Sequence, residues 1–211
     1  MQALAVTPAP DGGYSNNNTA EGTNALQSLS NGVNNSAVGF EALFRNTTGS
    51  SNTAIGFETL FNNVSGNNNT ATGLDALQKN TTGGNNTANG VQALFSNTIT
   101  TDSTATGFQA LFSNVASFNT ADGSQALLHN TTGIDNTAIG FAALSSNTTS
   151  FNNTATGFKA LFSNTTGSEN TATGANALLK NTSGGANTAL GFAALSANTS
   201  GDDNTAIGKK R

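Results

Sequence analysis

Side chains that could carry out chemistry are few and scattered in this chain. Its 211 residues include one histidine, His129, and no cysteine, and its eleven acidic residues form no recurring carboxylate cluster. Nucleophilic catalysis and metal binding both need several groups held together. We therefore predict no catalytic residue, no metal site and no cofactor. We expect His129 to face solvent, and Asp202 and Asp203 to lie in a solvated turn rather than at a weak cation site.

Glycosylation is the sharper chemical hypothesis, because Asn-x-Ser/Thr sequences are abundant. Eight of them recur one repeat apart along most of the chain, so glycans on them would coat one edge of an elongated molecule. Abundant Asn and Thr also generate such sequences by chance. The eight candidate glycosylation sites are Asn46, Asn63, Asn80, Asn130, Asn147, Asn164, Asn181 and Asn198. Further acceptor sequences begin at Asn17, Asn34, Asn68, Asn85 and Asn152.

The overall composition is that of neither an ordinary enzyme nor a nucleic-acid-binding protein. Charged residues make up 9% of the chain, glycines number 24, and the net charge is −4. Basic residues cluster only at residues 209–211, which argues against nucleic-acid binding through a basic patch. No apolar run approaches the roughly 18 residues that a membrane span needs. We predict no nucleic-acid partner and no membrane insertion.

A repeat of 17 residues organises almost the whole sequence. Twelve copies begin at residues 18, 35, 52, 69, 86, 103, 119, 136, 153, 170, 187 and 204, with one step of 16 residues between 103 and 119. We number these repeats 1 to 12 and their residues as positions 1 to 17, with the consensus N-T-A-x-G-F-x-A-L-F-x-N-T-T-G-x-x. A unit this short buries apolar surface only by stacking on its neighbours. The sequence therefore predicts an all-β parallel solenoid of about twelve coils over residues 18–211, with residues 1–17 as an N-terminal extension or cap.

The first half of each repeat is predicted to be the strand. Asn at position 1 suits hydrogen-bonded ladders between stacked coils, and Thr at position 2 suits a pleated surface. Ala at position 3 and Gly at position 5 occur in every copy, which indicates close packing. Position 4 ranges from Ile55 to Glu21 and Asp122. Because unpaired buried carboxylates are costly, we place positions 2 and 4 on a partly exposed face.

The second half, F-x-A-L-F, has apolar residues at positions 6, 9 and 10, the spacing of a helical turn. We therefore predict a single helical turn or corner there, followed by a glycine turn. Leu at position 9 is the best core candidate, since all eleven complete copies have it. Positions 6 and 10 tolerate polar residues, so their aromatics are expected near a surface that contacts a partner. The shortened step before Asn119 predicts a kink or a tightened turn.

Segments such as Asn52-Thr-Ala-Ile-Gly56 followed by Thr59-Leu60 resemble the coils of trimeric autotransporter adhesin heads and the repetitive shafts of phage tail fibres. The resemblance covers about residues 18–208. It implies a parallel β-roll, trimeric assembly, and binding to matrix or host surfaces. The repeat departs from the adhesin coil in its length and in its F-x-A-L-F segment.

Three functions follow as alternatives. The leading one is a non-enzymatic structural or adhesive fibre segment on a cell surface or virion, presenting a repetitive polar surface to a glycan or host receptor. The second is a subunit of a self-assembling extracellular filament, with or without glycosylation. Self-association is expected either as a trimer, which the adhesin resemblance implies, or end to end in such a filament. The third is an ice-binding solenoid, since the Thr column at position 2 could order water. Position 4 interrupts that column.

Overall fold

The computed structural model describes residues 13 to 209, and they form one all-β parallel solenoid. Two short elements precede the repeats: the strand β1 (Gly13–Tyr14) and a 3₁₀ segment (Ser15–Asn17). The repeat strands are β2 (Asn18–Glu21), β3 (Ser36–Val38), β4 (Thr53–Ile55), β5 (Thr70–Thr72), β6 (Thr87–Asn89), β7 (Thr104–Thr106), β8 (Thr120–Asp122), β9 (Thr137–Ile139), β10 (Thr154–Thr156), β11 (Thr171–Thr173), β12 (Thr188–Leu190) and β13 (Thr205–Ile207). The predicted fold class is confirmed.

The strands form one sheet of 13 in sequence order, and every pair from β2 to β13 is parallel with like repeat positions side by side. At the other edge of β2, β1 pairs antiparallel, with Tyr14 opposite Asn18. The first repeat strand is thus covered by a strand from the predicted N-terminal extension. Residues 1–12 and 210–211 of the predicted segments lie outside the described residues.

The predicted helical turn is wrong, because F-x-A-L-F folds as successive tight turns. In repeat 2, the Ala42 N–H donates to Gly39 O, the Phe44 N–H to Glu41 O, and the Asn46 N–H to Leu43 O. Positions 7 and 9 have positive φ, as in Glu41 (54°) and Leu43 (52°), which breaks any helix. The i, i+3, i+4 spacing does not mark one face here, because the turns direct position 9 into the interior, as in the buried Leu43, and leave positions 6 and 10 on the outside, as in the exposed Phe40 and the half-buried Phe44.

Leucine in the left-handed region is unusual and costs about 1–2 kcal/mol per residue. Here the cost is offset by burial: Leu43 and its equivalents in repeats 3 to 10 are fully inaccessible, and burying a leucine side chain is worth about 1.5–3 kcal/mol. The backbone in this conformation also bonds the next coil, since the Leu43 N–H donates to Thr59 O at 3.0 Å. The prediction that position 9 is core is confirmed.

Hydrogen bonds join neighbouring coils well outside the three-residue strands. Between repeats 2 and 3, the N–H groups at positions 2, 9 and 11 of repeat 2 donate to carbonyl oxygens of repeat 3. The N–H groups at positions 5, 7 and 17 of repeat 3 donate back to carbonyl oxygens of repeat 2. Coils are therefore bonded on all sides of the solenoid. This distribution makes the stack a continuous rod rather than a ribbon with loops attached.

Glycine at position 5 is required by both conformation and space. Gly56, for example, has a φ of +138°, and a Cβ on it would lie 2.7 Å from the carbonyl oxygen of Gly73 in the next coil. Alanine at positions 3 and 8 fills the remaining interior with almost no exposure. The close packing predicted for Ala and Gly is confirmed, and for Gly the backbone of the next coil accounts for it.

Candidate functional site

The interior of the rod has an apolar part, made of Leu and Ala, and a polar part, made of two columns of asparagine. A column is the set of side chains at one repeat position in successive repeats. The position 1 column was predicted as a ladder and is confirmed: the Nδ2 of Asn52 donates to Asn35 Oδ1 at 3.1 Å, and the Asn52 N–H donates to the same oxygen at 3.0 Å. The second Nδ2 hydrogen bonds the Gly66 carbonyl at 2.8 Å.

The position 12 column forms a second ladder, which the sequence reading missed. Asn63 Nδ2 donates to Asn46 Oδ1 at 2.9 Å and to Gly66 O at 3.0 Å. The Gly66 carbonyl therefore accepts from both ladders and ties them together across the coil. Ten of the eleven copies have Asn at position 12, the exception being Leu29. Position 1 also has a single exception to Asn, so the constancy of position 12 was the signal from which a second ladder could have been predicted.

This second ladder contains all eight predicted glycosylation sites. A glycan on Nδ2 would replace a hydrogen that the ladder uses, and it would need solvent space beside a buried amide. The folded solenoid therefore uses these amides inside the rod instead of exposing them to solvent, and their glycosylation stays a prediction. Fully buried are Asn46, Asn63, Asn80, Asn130, Asn147, Asn164 and Asn181, and the eighth, Asn198, is half-buried.

Polar side chains inside the described rod all have partners: no buried side-chain nitrogen or oxygen lacks a hydrogen bond between residues 13 and 209. A buried polar group left without a partner would cost about 1–3 kcal/mol. The buried polar groups of the described residues are therefore used in hydrogen bonds within the rod. Any recognition by the rod has to use its outer surface.

Outward columns provide that surface, as predicted from their variability. On the strand, positions 2 and 4 point outwards on either side of the buried Ala, as in the exposed Thr87 and Asn89 flanking Ala88. Position 6 carries exposed aromatics, including Phe57 (46%) and Phe158 (49%). The aromatics at position 10 are half-buried.

Aromatic rings stack along positions 6 and 10. Phe40 and Phe57 lie 5.1 Å apart with 13° between their planes, and Phe44 and Phe61 lie 5.1 Å apart with 2° between theirs. Position 7 lies between these two columns, because the Lys159 Nζ contacts the ring of position 6 in its repeat at 5.4 Å and that of position 10 at 5.2 Å. We call the columns at positions 4, 6, 7 and 10 the aromatic face.

The other predicted polar residues are not in the columns that form this face. His129 is exposed at position 11. Asp202 and Asp203 are exposed, and Asp202 Oδ1 accepts a hydrogen bond from the Gly185 N–H at 2.7 Å. Over residues 13–209 there is no group of three or more His, Cys, Asp or Glu side chains arranged to hold a metal ion. The same range contains no helix that is long and apolar enough to cross a membrane.

Comparison of the chain with protein-family models, with curated proteins and with solved structures finds no match. The resemblance to adhesin heads and tail-fibre shafts therefore remains a prediction from the residues quoted above.

Proposed function

We propose that this chain is a non-enzymatic structural segment of an extracellular fibre, on a cell surface or virion, whose outer columns adhere to a glycan or a host-surface receptor. The observation that carries the proposal is the difference between the inner columns and the outer columns. The inner columns use their hydrogen-bonding groups within the rod, and the outer columns vary from repeat to repeat. A rigid rod with a variable exterior suits a spacer that presents binding groups at regular intervals.

Adhesion is tested with the whole chain immobilised on beads and exposed to glycan arrays and to matrix-coated surfaces. Specific retention that is lost when outer Thr residues of β5 and β7 are replaced by Ala, with an unchanged circular dichroism spectrum, supports the proposal. Uniform, non-saturable retention on every surface contradicts the adhesive part. Rods that unfold at low force in single-molecule pulling contradict the structural part of the proposal.

A self-assembling filament is the second candidate. It is favoured by the way each coil offers the next coil the same set of backbone and asparagine bonds along the whole stack. Negative-stain images distinguish the two functions, since long continuous fibres indicate end-to-end assembly and short discrete rods indicate a fibre segment. Glycosylation of such a filament would have to use exposed position 17 asparagines such as Asn68 or Asn85.

Ice binding is the third candidate, favoured by the outward hydroxyl column at position 2, which runs through all twelve repeat strands as Thr or Ser. Neighbouring position 4 is apolar, amide or acidic in many repeats. Thermal hysteresis at micromolar protein supports this function, and its absence excludes it.

A further inference from the structure

We propose that the aromatic face binds a second copy of the chain, side by side and antiparallel. The face exposes large apolar side chains in nearly every repeat, among them Val38, Ile55, Leu74, Val91 and Phe141, each 40–44% exposed. Exposed apolar surface that is contiguous over the length of a protein marks an interaction site. The partner that matches its repeat spacing along the whole face is another copy of the same rod.

Most acidic residues of the face lie toward the N-terminal end of the rod, and Lys159 lies toward the C-terminal end. Glu58 and Asp75 lie in successive repeats, and the Gln78 Nε2 donates to both of them, at 2.7 and 3.1 Å. Within residues 13–209 neither carboxylate has a cation within ion-pair distance, and the Lys159 ammonium, far along the rod, contacts only phenyl rings. These acidic and basic groups are complementary and unpaired in the single chain.

An antiparallel pair brings them together in one register. If repeats whose numbers add to thirteen face each other, Asp75 of repeat 4 meets Lys159 of repeat 9, and Glu21 of repeat 1 meets Lys209 of repeat 12. Two independent acid–base pairs thus select the same alignment. A two-fold axis perpendicular to the rods makes each pair occur twice.

Position 6 side chains meet in two ways in this register. Two pairs match a large side chain with a small one: Phe57 of repeat 3 faces Ala175 of repeat 10, and Phe108 of repeat 6 faces Ser124 of repeat 7. Three pairs bring two large apolar side chains together, namely Phe40 with Phe192, Leu74 with Phe158, and Val91 with Phe141.

A parallel pair lacks these matches. Each repeat would then face the same repeat of the partner, so the acids of repeats 1 to 4 would meet the same acids of the partner, and the basic residues nearby, Arg45 and Lys79, already lie over the Phe61 and Phe95 rings. Their carboxylates would lose water without gaining a cation, which is costly.

The face is large enough for a specific dimer. Eleven steps of about 4.8 Å give a length of about 53 Å. With a width of about 10 Å, each copy buries about 500 Å², or about 1,000 Å² in total, the lower range of specific interfaces. A dimer that dissociates in the micromolar range is expected.

Charge reversal tests the pairing in the full chain, with analytical ultracentrifugation as the measurement. Asp75→Lys is expected to weaken the dimer about tenfold or more, and Asp75→Lys combined with Lys159→Asp to restore it. Glu169→Lys is the matched control: it makes the same charge change at an exposed position outside the face, and it is expected to leave the dimer intact. A monomer at all concentrations, a trimer, or failure of the double variant to restore association overturns the proposal.

Cysteine cross-linking tests the orientation, since the chain has no cysteine of its own. Position 6 of repeat 5 faces position 6 of repeat 8 in the antiparallel register, so Val91→Cys mixed with Phe141→Cys should form a disulfide between copies. Neither variant should cross-link with itself. Self-cross-linking of Val91→Cys indicates parallel rods and overturns the proposal. Circular dichroism of each variant checks that it is folded.

Discussion

Repeat 6, residues 103–118, differs from regular repeats such as repeat 9, residues 153–169. In repeat 9, Asn153 Oδ1 accepts the N–H and the Nδ2 of Asn170 at 3.0 and 3.2 Å. In repeat 6, Ser103 stands in its place, and its Oγ accepts the Asn119 N–H at 3.5 Å. The ladder is therefore weaker at this one coil.

The same repeat is one residue short, and its turn is tighter. Asn114 Nδ2 bonds the Ala116 carbonyl two residues on, whereas Asn164 bonds the Gly167 carbonyl three residues on. Register continues unbroken, with Thr104 beside Thr120. The predicted tightening of the turn is confirmed.

Asn119 shows how the defect is accommodated. Its Nδ2 turns to Asn114 Oδ1 of the other ladder, at 3.3 Å, and still bonds the Gly133 carbonyl at 2.8 Å. The comparison teaches that the two ladders act as one network. A lost acceptor in one is partly replaced by the other.

The largest loss of stability is expected in the leucine column at position 9, where repeats 6 and 9 do not differ. Leu161→Ala in repeat 9 and Leu111→Ala in repeat 6 should each lower the free energy of unfolding by about 3 kcal/mol, because both leave a cavity at a fully buried site. Urea denaturation measures both. A much smaller loss for Leu111→Ala would mean that the shortened repeat also loosens the apolar core.

Substitutions in the position 1 ladder should lower the stability by different amounts in repeats 9 and 6. Asn153→Ala removes the acceptor of two buried donors and should cost about 2 kcal/mol. Ser103→Ala removes only the weak acceptor of the Asn119 N–H, because the Asn119 Nδ2 already bonds Asn114 Oδ1 and the Gly133 carbonyl, so about 0.5 kcal/mol is expected. Equal losses in urea denaturation would contradict the idea that the second ladder compensates.

Repair of the ladder should stabilise the rod. Ser103→Asn supplies the missing Oδ1 to Asn119 and a donor to Asn86, for a gain of about 1 kcal/mol. Thermal unfolding of this variant beside Ser113→Asn, a change at position 11 outside the ladder, measures the gain. An unchanged or lower midpoint would show that the shortened turn has no room for the amide.

The smallest effect is expected at Phe118, which is 56% exposed with a φ of 63°. Other repeats often have Asn at this position, and Asn tolerates the left-handed region better than a bulky residue. Phe118→Asn should therefore raise the stability by about 0.5 kcal/mol. A loss of stability would show that the ring packs against a neighbour.

Much of the fold was predictable because repetition reveals which positions share an environment. Constant Ala, Gly and Leu marked the interior, and variable position 4, which is Ile55 in repeat 3 and Asp122 in repeat 7, marked the exterior. The Asn ladder at position 1 followed from the same constancy. Position 12 was assigned to a turn with an accessible amide because Asn-Thr-Thr-Gly is a good turn sequence, and local sequence does not tell an inward Asn from an outward one.

The sequence by itself determined the period, the all-β solenoid and the buried leucine column, since a 17-residue unit can bury its apolar side chains only by stacking. The tertiary structure decided the rest. Leu43 adopts a positive φ, and Asn46 is buried in the rod, because the neighbouring coil supplies the packing and the hydrogen-bond partners that a single repeat lacks. Those partners lie 17 residues away in sequence, where local propensity has no information.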